Sequence, residues 1–237
     1  MKELLIDTCN QTLSIALVCD NKLVACEKLA GFKNHAETVM VVIVELVRQV
    51  KWQPQDLEQI GIAIGPGSYT GVRIGVTVAK TLGYALQIPV KCVSSLELLA
   101  YTALDIPNTL VVPMIDARRQ CVYAGVYQYQ NGQLQVVSDD KYQKIEDLKE
   151  YLNQQKQELI LVGDYNNFLW DTEYISGSQS ADATNIVYAK GKVYSAEDVH
   201  AIVPNYLKKV EAEEKWQNNH HKIVQKDSYI RVTKNDN

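Results

Sequence analysis

Residues 61–75 read GIAIGPGSYTGVRIG. A short apolar run enters a loop marked by Gly65, Gly67 and Gly71, with Ser68 and Thr70 among them, and a helix-like segment leaves it. Glycines between a strand and a helix can bring backbone N–H groups up to a phosphate. They can equally permit a sharp turn. The phosphate reading fails on spacing. A P-loop needs G-x-x-x-x-G-K-[ST]. Counted from Gly65, Thr70 stands where the second glycine belongs; counted from Gly67, Val72-Arg73 stand where Gly-Lys belongs. The dinucleotide fingerprint G-x-G-x-x-G fails too, because Gly65 to Gly71 holds one residue too many. Pro66 also removes one donor from any anion cradle. The turn reading needs less: Ser68 or Thr70 caps the helix that follows. An anion resting on that helix N-terminus is the second reading of the same loop.

Working outward, 4–8, 13–19 and 22–30 read as strands, with Asp20-Asn21 as a hairpin turn. A helix over 34–50, a strand over 60–64, the glycine loop and a helix over 69–86 follow, and Pro89 closes the unit. The order then recurs. Strands are expected at 110–116, 121–129 and 133–138, with Asn131-Gly132 as a hairpin signal. A helix over 144–155 and a strand over 158–163 come next. Asp7 and Asp116 each end the first strand of their half. A repeated order of three strands, helix, strand, helix implies two similar α/β lobes with a cleft between them. Residues 171–195 are rich in Ser, Gly, Asp, Asn and Thr and include a loop, and Ser195 with Asp198 suits the start of a short helix.

The chain has 237 residues, is 46% hydrophobic and carries a net charge of −4, enough apolar content for a core and a poor match to an open basic groove. Its five cysteines are scattered without C-x-x-C, which fits reduced thiols rather than a zinc site or disulfide framework. Only three apolar residues separate Glu3 from Asp7, and the longest apolar run, 39–44, falls far below the roughly 18 residues of a membrane span. A cytoplasmic protein with no membrane partner is expected.

Catalytic groups are sparse. His35, His200, His220 and His221 form neither H-E-x-x-H nor another metal spacing, and no metal is expected. Ser68 has no His or Lys near it in sequence to activate it. Asp7, Thr8 and Asp116 sit where a cleft could hold a metal–nucleotide complex. Yet the two following turns, Asp7-Thr-Cys-Asn-Gln-Thr12 and Asp116-Ala-Arg-Arg-Gln120, lack the glycines that let backbone meet phosphate. Asp7, Thr8 and Asp116 are therefore remnant candidates, with no cofactor expected. The helix over 34–50 is the other unusual feature. From Val39 to Val47 only Glu45 is polar. A helix apolar nearly all round buries more than one face, either inside its own core or against another subunit.

The stretch AIGPGSYTGVRIGVTVAKTLG resembles the signature of the TsaB (YeaZ) family, G-P-G-S-[FY]-T-G-x-R. LLIDT near the start, His35-Ala-Glu37, Val93 to Glu97, Ile115 to Arg119, Pro204 to Leu207 and Glu211 to Glu213 lie in the matching order, over residues 3–216. The resemblance implies a two-lobed, actin-like ATPase fold (ribonuclease H-like, ASKHA). It implies an N-terminal lobe over 1–105 carrying the dimerisation helices, a C-terminal lobe over 106–216 whose last helix packs back on the first, and a polar tail over 217–237. Members are non-catalytic paralogues of TsaD, which threonylcarbamoylates N6 of adenosine 37 in tRNAs reading codons that start with A. They form homodimers or pair with TsaD, are joined by TsaE, and meet tRNA through the complex, where a nucleotide can sit at the joint site. The partner surface implied here uses Val39, Val42, Ile43 and Leu46 of the first helix with Tyr69, Val72, Arg73, Val76, Thr77 and Lys80 of the helix after the glycine loop. On that view a Val42→Asp or Ile43→Asp chain folds and loses TsaD. The alternatives are an active actin-like ATPase or sugar-kinase-like enzyme, opposed by the missing glycines, and a peptidase, opposed by the missing nucleophile–base pair.

Overall fold

Strand β1 (Lys2–Asp7) is buried on both faces, and its run Leu4-Leu5-Ile6 has no solvent side to alternate with. It pairs antiparallel with β2 (Leu13–Cys19) and parallel with β4 (Gln59–Ala63). β2 pairs with β3 (Lys22–Leu29) through a tight turn at Asp20 and Asn21, both with positive φ. Two more strands, β5 (Val90–Val93) and β11 (Lys192–Tyr194), complete a six-stranded sheet in the order β11-β5-β4-β1-β2-β3. The computed structural model describes residues 1–30, 35–103 and 105–208. The expected cap at Asn34, the Glu211–Glu213 stretch, the last helix beyond 208 and the tail from 217 lie outside the described residues.

The second sheet has the order β10-β9-β6-β7-β8. Its strands are β6 (Thr109–Asp116), β7 (Cys121–Gln130), β8 (Gln133–Lys144), β9 (Glu158–Gly163) and β10 (Ile175–Ser176). β6 repeats the role of β1, antiparallel to β7 and parallel to β9. Helix α4 (Ile145–Asn153) sets Ile145, Leu148 and Leu152 on one buried stripe. After β9 the chain makes one 3-10 turn, Asp164–Asn167, where a long helix follows β4. β8 runs on to Lys144, past the expected end at 138. It crosses Asp139-Asp140 because Asp140 finds donors: the Ser94 hydroxyl at 2.5 Å and the Tyr127 phenol at 2.7 Å. Burial still pushes the Asp140 carboxyl above its ordinary range, against those two hydrogen bonds.

Three helices link these sheets to the site. α1 (His35–Gln49) packs on β2, and α2 (Tyr69–Leu86) packs on β4 and alongside α1. α3 (Ser95–Ala100) is buried throughout its length and contacts β6, β7 and β9. The segment expected as loop, 171–195, returns to the first sheet. Its 3-10 turn Ala183–Val187 lies on β1, β2 and β4, held by the Lys91 ammonium at 2.8 Å from the Ile186 carbonyl. Ser195 and Asp198 bond each other as expected, but only a single 3-10 turn, Val199–Ala201, follows. Among the described residues no helix is long and apolar enough to cross a membrane.

Candidate functional site: a cleft and a helix face

The glycine loop lies directly on the turn after β1. The Ser68 amide donates to the Cys9 carbonyl at 2.7 Å, and the Thr8 hydroxyl donates to the Gly71 carbonyl at 2.7 Å. A Cβ on Gly67 would stand 2.2 Å from the Cys9 carbonyl oxygen, and one on Gly71 would stand 2.1 Å from that of Thr8. No side chain fits at either position. Ser68 caps α2, its hydroxyl oxygen accepting from the Gly71 amide at 3.2 Å. The glycines therefore serve close backbone approach: they seat the start of α2 on the β1–β2 turn.

A cleft of about 880 Å³ opens beside this contact. Asn10 and Thr12 of the first turn, Thr70 of α2, Asp116 at the end of β6, and Asp164 and Asn167 of the turn after β9 line it. The two strand-end carboxylates differ. Asp7 is sealed beneath the turn at 0% exposure, and burial pushes it up to about 6, against the Cys9 amide that donates to it at 2.8 Å. Its second oxygen has no protein partner. Asp116 is half-buried at the cleft wall. It accepts from the Arg118 amide at 2.7 Å and the Asn167 side chain at 3.2 Å, and pairs with the Arg118 guanidinium at 3.6 Å. Burial also raises the neighbouring Asp164 carboxyl, which accepts from the Asp116 amide at 2.9 Å.

These residues do not fit the phosphates of a nucleotide. Asp7 cannot reach the cleft. The Cys9 and Arg118 amides already donate to Asp7 and Asp116, and the Ala117 and Cys121 amides close the second turn on itself. Arg118, Arg119 and Gln120 all have positive φ, a tight left-handed turn made without glycine. Nor does a nucleophile stand ready. The Cys9 thiol is fully buried, donates to the Ala63 carbonyl at 3.2 Å, and is pushed well above its ordinary range by burial. Among the described residues no histidine lines the cleft and no cluster of His, Cys, Asp or Glu is placed to hold a metal.

The helix face needs a correction. Val39, Val42, Ile43 and Leu46 do not face outward: each is at most 5% exposed, packed in the core of the first sheet. Val72 and Val76 of α2 are buried likewise. The physical reason is spacing. Residues 39, 42, 43, 46 and 47 form the i, i+3, i+4, i+7, i+8 stripe that a helix turns toward its own sheet. Val42→Asp or Ile43→Asp would therefore bury a charge. Lys80 is also committed internally, its ammonium donating to the His200 and Ile202 carbonyls at 2.8 and 2.9 Å.

What does face outward is the apolar excess off that stripe. Met40, Val41 and Val44 are 40%, 53% and 50% exposed. On α2, Tyr69, Arg73 and Thr77 are exposed. The Arg73 guanidinium lies 3.9 Å from the Tyr69 ring centre and donates to the Tyr206 phenol at 2.7 Å. That stack holds Arg73 rigid at the surface.

A family model described as TsaD, tRNA N6-adenosine threonylcarbamoyltransferase, matches residues 28–187. Over 225 residues the chain is 40% identical to the tRNA threonylcarbamoyladenosine biosynthesis protein TsaB of Bacillus subtilis (strain 168), covering 91% of this chain and 98% of that one. A solved Pseudomonas aeruginosa protein, described as uncharacterized with similarity to peptidase YEAZ, has a TM-score of 0.76 at 25% identity, over 87% of this chain and 99% of that one. The ethanolamine utilization protein EutJ of Carboxydothermus hydrogenoformans shares the fold alone, with a TM-score of 0.50 at 13% identity over 79% and 90% of the two chains. The fold is the two-lobed, actin-like α/β arrangement.

Proposed function

The chain belongs to the TsaB family of tRNA threonylcarbamoyladenosine biosynthesis proteins, and from this membership we propose that it acts as a non-catalytic subunit that binds TsaD. In this reading TsaD carries the transfer chemistry on tRNA, and TsaE joins the pair. In isolation the chain forms a homodimer through the same face. The observation that carries the reading is the row Met40, Val41 and Val44, half-exposed on α1, together with the exposed Tyr69 and Arg73 of α2. A row of exposed apolar side chains and a rigid aromatic–arginine pair are what partner surfaces are made of. The cleft supports the non-catalytic half of the proposal: the Cys9 thiol is sealed, and the Cys9 and Arg118 amides are spent on Asp7 and Asp116.

The test is tRNA threonylcarbamoylation reconstituted from purified TsaD and TsaE. The wild-type chain is expected to raise product formation, and a Val41→Asp chain, folded as judged by circular dichroism, is expected not to. Turnover by this chain without TsaD, or full stimulation by Val41→Asp, contradicts the proposal.

A further inference from the structure

Strand β8 carries a carboxylate from the second sheet across to the first. Between the pairs Ala124–Lys141 and Val126–Ser138 the register slips, so Gly125 alone stands opposite Asp139 and Asp140. A bulge of this kind re-aims a side chain. It leaves Asp139 exposed and turns Asp140 toward α3. Gly125 makes the room, since a Cβ there would lie 2.4 Å from an Asp140 carboxylate oxygen. One Asp140 oxygen accepts from the Tyr127 phenol of β7 at 2.7 Å. The other accepts at 2.5 Å from the hydroxyl of Ser94, which stands between β5 and α3 and caps that helix.

A second carboxylate stands beside it. Glu97 of α3 is buried and accepts from the Lys190 amide at 2.8 Å, while the Lys190 ammonium reaches the Gln135 side chain of β8 at 3.0 Å. β8, α3 and the stretch before β11 therefore form one polar clasp between the two sheets. Charged and titratable groups face it from each of these elements. Asp139 and Glu97 repel Asp140, while Lys91 of β5 and Lys190 attract Glu97, which the Tyr101 phenol also faces. The groups that donate to the Asp140 oxygens are neutral hydroxyls, and burial pushes the Tyr127 phenol up, so it stays a donor. Burial raises the Asp140 and Glu97 carboxyls alike.

We propose that this clasp is a conformational switch between the two sheets, closed while a proton sits on the Asp140–Glu97 pair and loosened when both carboxyls ionise. Closed, the pair holds its proton to a higher pH than the same carboxyls do when solvated. Closure is therefore strongest in acid, and it weakens as pH rises from the ordinary carboxylate range through the raised one. The switch needs no partner protein. It bears on the cleft because α3 carries Leu99 into the cleft wall and packs on β6, β7 and β9.

The experiment is amide hydrogen exchange on the chain alone from pH 5 to pH 7.5, corrected for intrinsic rates, in wild type, Asp140→Asn and Ser94→Ala. Amides of β1 are the reference for global stability, which carries any contribution from Asp7. In wild type, protection of β8 is expected to fall several-fold more than that of β1 as pH rises. Asp140→Asn keeps the shape and removes the charge, and its β8 and β1 amides are expected to change together. Ser94→Ala removes a hydrogen bond that favours the ionised form, so its loss of β8 protection relative to wild type is expected to grow with pH. Parallel change of β8 and β1 in wild type overturns the switch, and so does a β8 loss in Asp140→Asn equal to that of wild type. If the melting temperature shows that Asp140→Asn does not fold, Ser94→Ala decides: a difference from wild type that stays constant with pH is only the lost helix cap and overturns the proposal.

Discussion

Gly71 and Asp7 lie one on each side of the same backbone contact, and each makes a separate prediction. A methyl group on Gly71 would meet the Thr8 carbonyl at 2.1 Å, and neither backbone can yield without lifting α2 off the β1–β2 turn. Gly71→Ala is expected to cost about 2 kcal/mol or more. Gly132→Ala is the control: Gly132 has φ +75° but nothing within 4 Å of a new Cβ, so its cost is conformational strain of about 1 kcal/mol. Urea unfolding of both variants checks the order. Asp7 predicts a pH dependence. Burial holds its native carboxyl at about 6, above the unfolded value of about 3.9. Between those values the native chain keeps a proton that the unfolded chain has released, so stability falls as pH rises through that window. Asp7→Asn has no proton to lose there. From pH 4 to pH 7 wild type is expected to lose about 2 kcal/mol relative to Asp7→Asn. Parallel unfolding curves for the two proteins across that range would contradict it.

At the scale of elements, α1 divides into an inward stripe and an outward remainder, and substitutions should divide with it. Val42→Asp buries an unpaired charge beneath β2, costs several kcal/mol and prevents cooperative folding. Val44→Asp, half-exposed, leaves the melting temperature nearly unchanged and removes partner binding. Thermal unfolding followed by circular dichroism separates the two. This division explains what the sequence could and could not tell. The strands through β4, the helices α1 and α2 and the strand order of β6–β9 follow from apolar spacing and turn residues, but β8 runs six residues past its expected end and a 3-10 turn stands where the repeat called for a last helix. The run Val39–Val47 is apolar at nearly every position, so its composition signals excess without saying which side is excess. The strongest helical stripe belongs to the chain's own core, and the partner candidates are the apolar residues left off it. β5, α3 and β11 are four, six and three residues long, too short for periodicity to register. The purpose of the glycine loop was half legible. Its spacing excludes the P-loop and dinucleotide fingerprints, but the carbonyls of Thr8 and Cys9 that demand glycine come from a turn more than fifty residues away, reachable only by the fold.

For the whole molecule, the actin-like arrangement is kept while both hairpin turns are closed. One has its Thr8 and Cys9 carbonyls packed under the start of α2; the other is wound left-handed through Arg118–Gln120. The return segment ties the fold together, with Lys91 and Lys80 bonding its carbonyls to the first sheet and to α2. A scaffold made rigid in this way suits a surface on which another subunit is seated. The most direct measurement is size-exclusion chromatography with light scattering on this chain, alone and mixed with TsaD from the same organism, in wild type and Val41→Asp forms. A one-to-one complex for wild type, absent for a folded Val41→Asp, is the predicted result. A wild-type chain that elutes unchanged in the presence of TsaD would contradict the account.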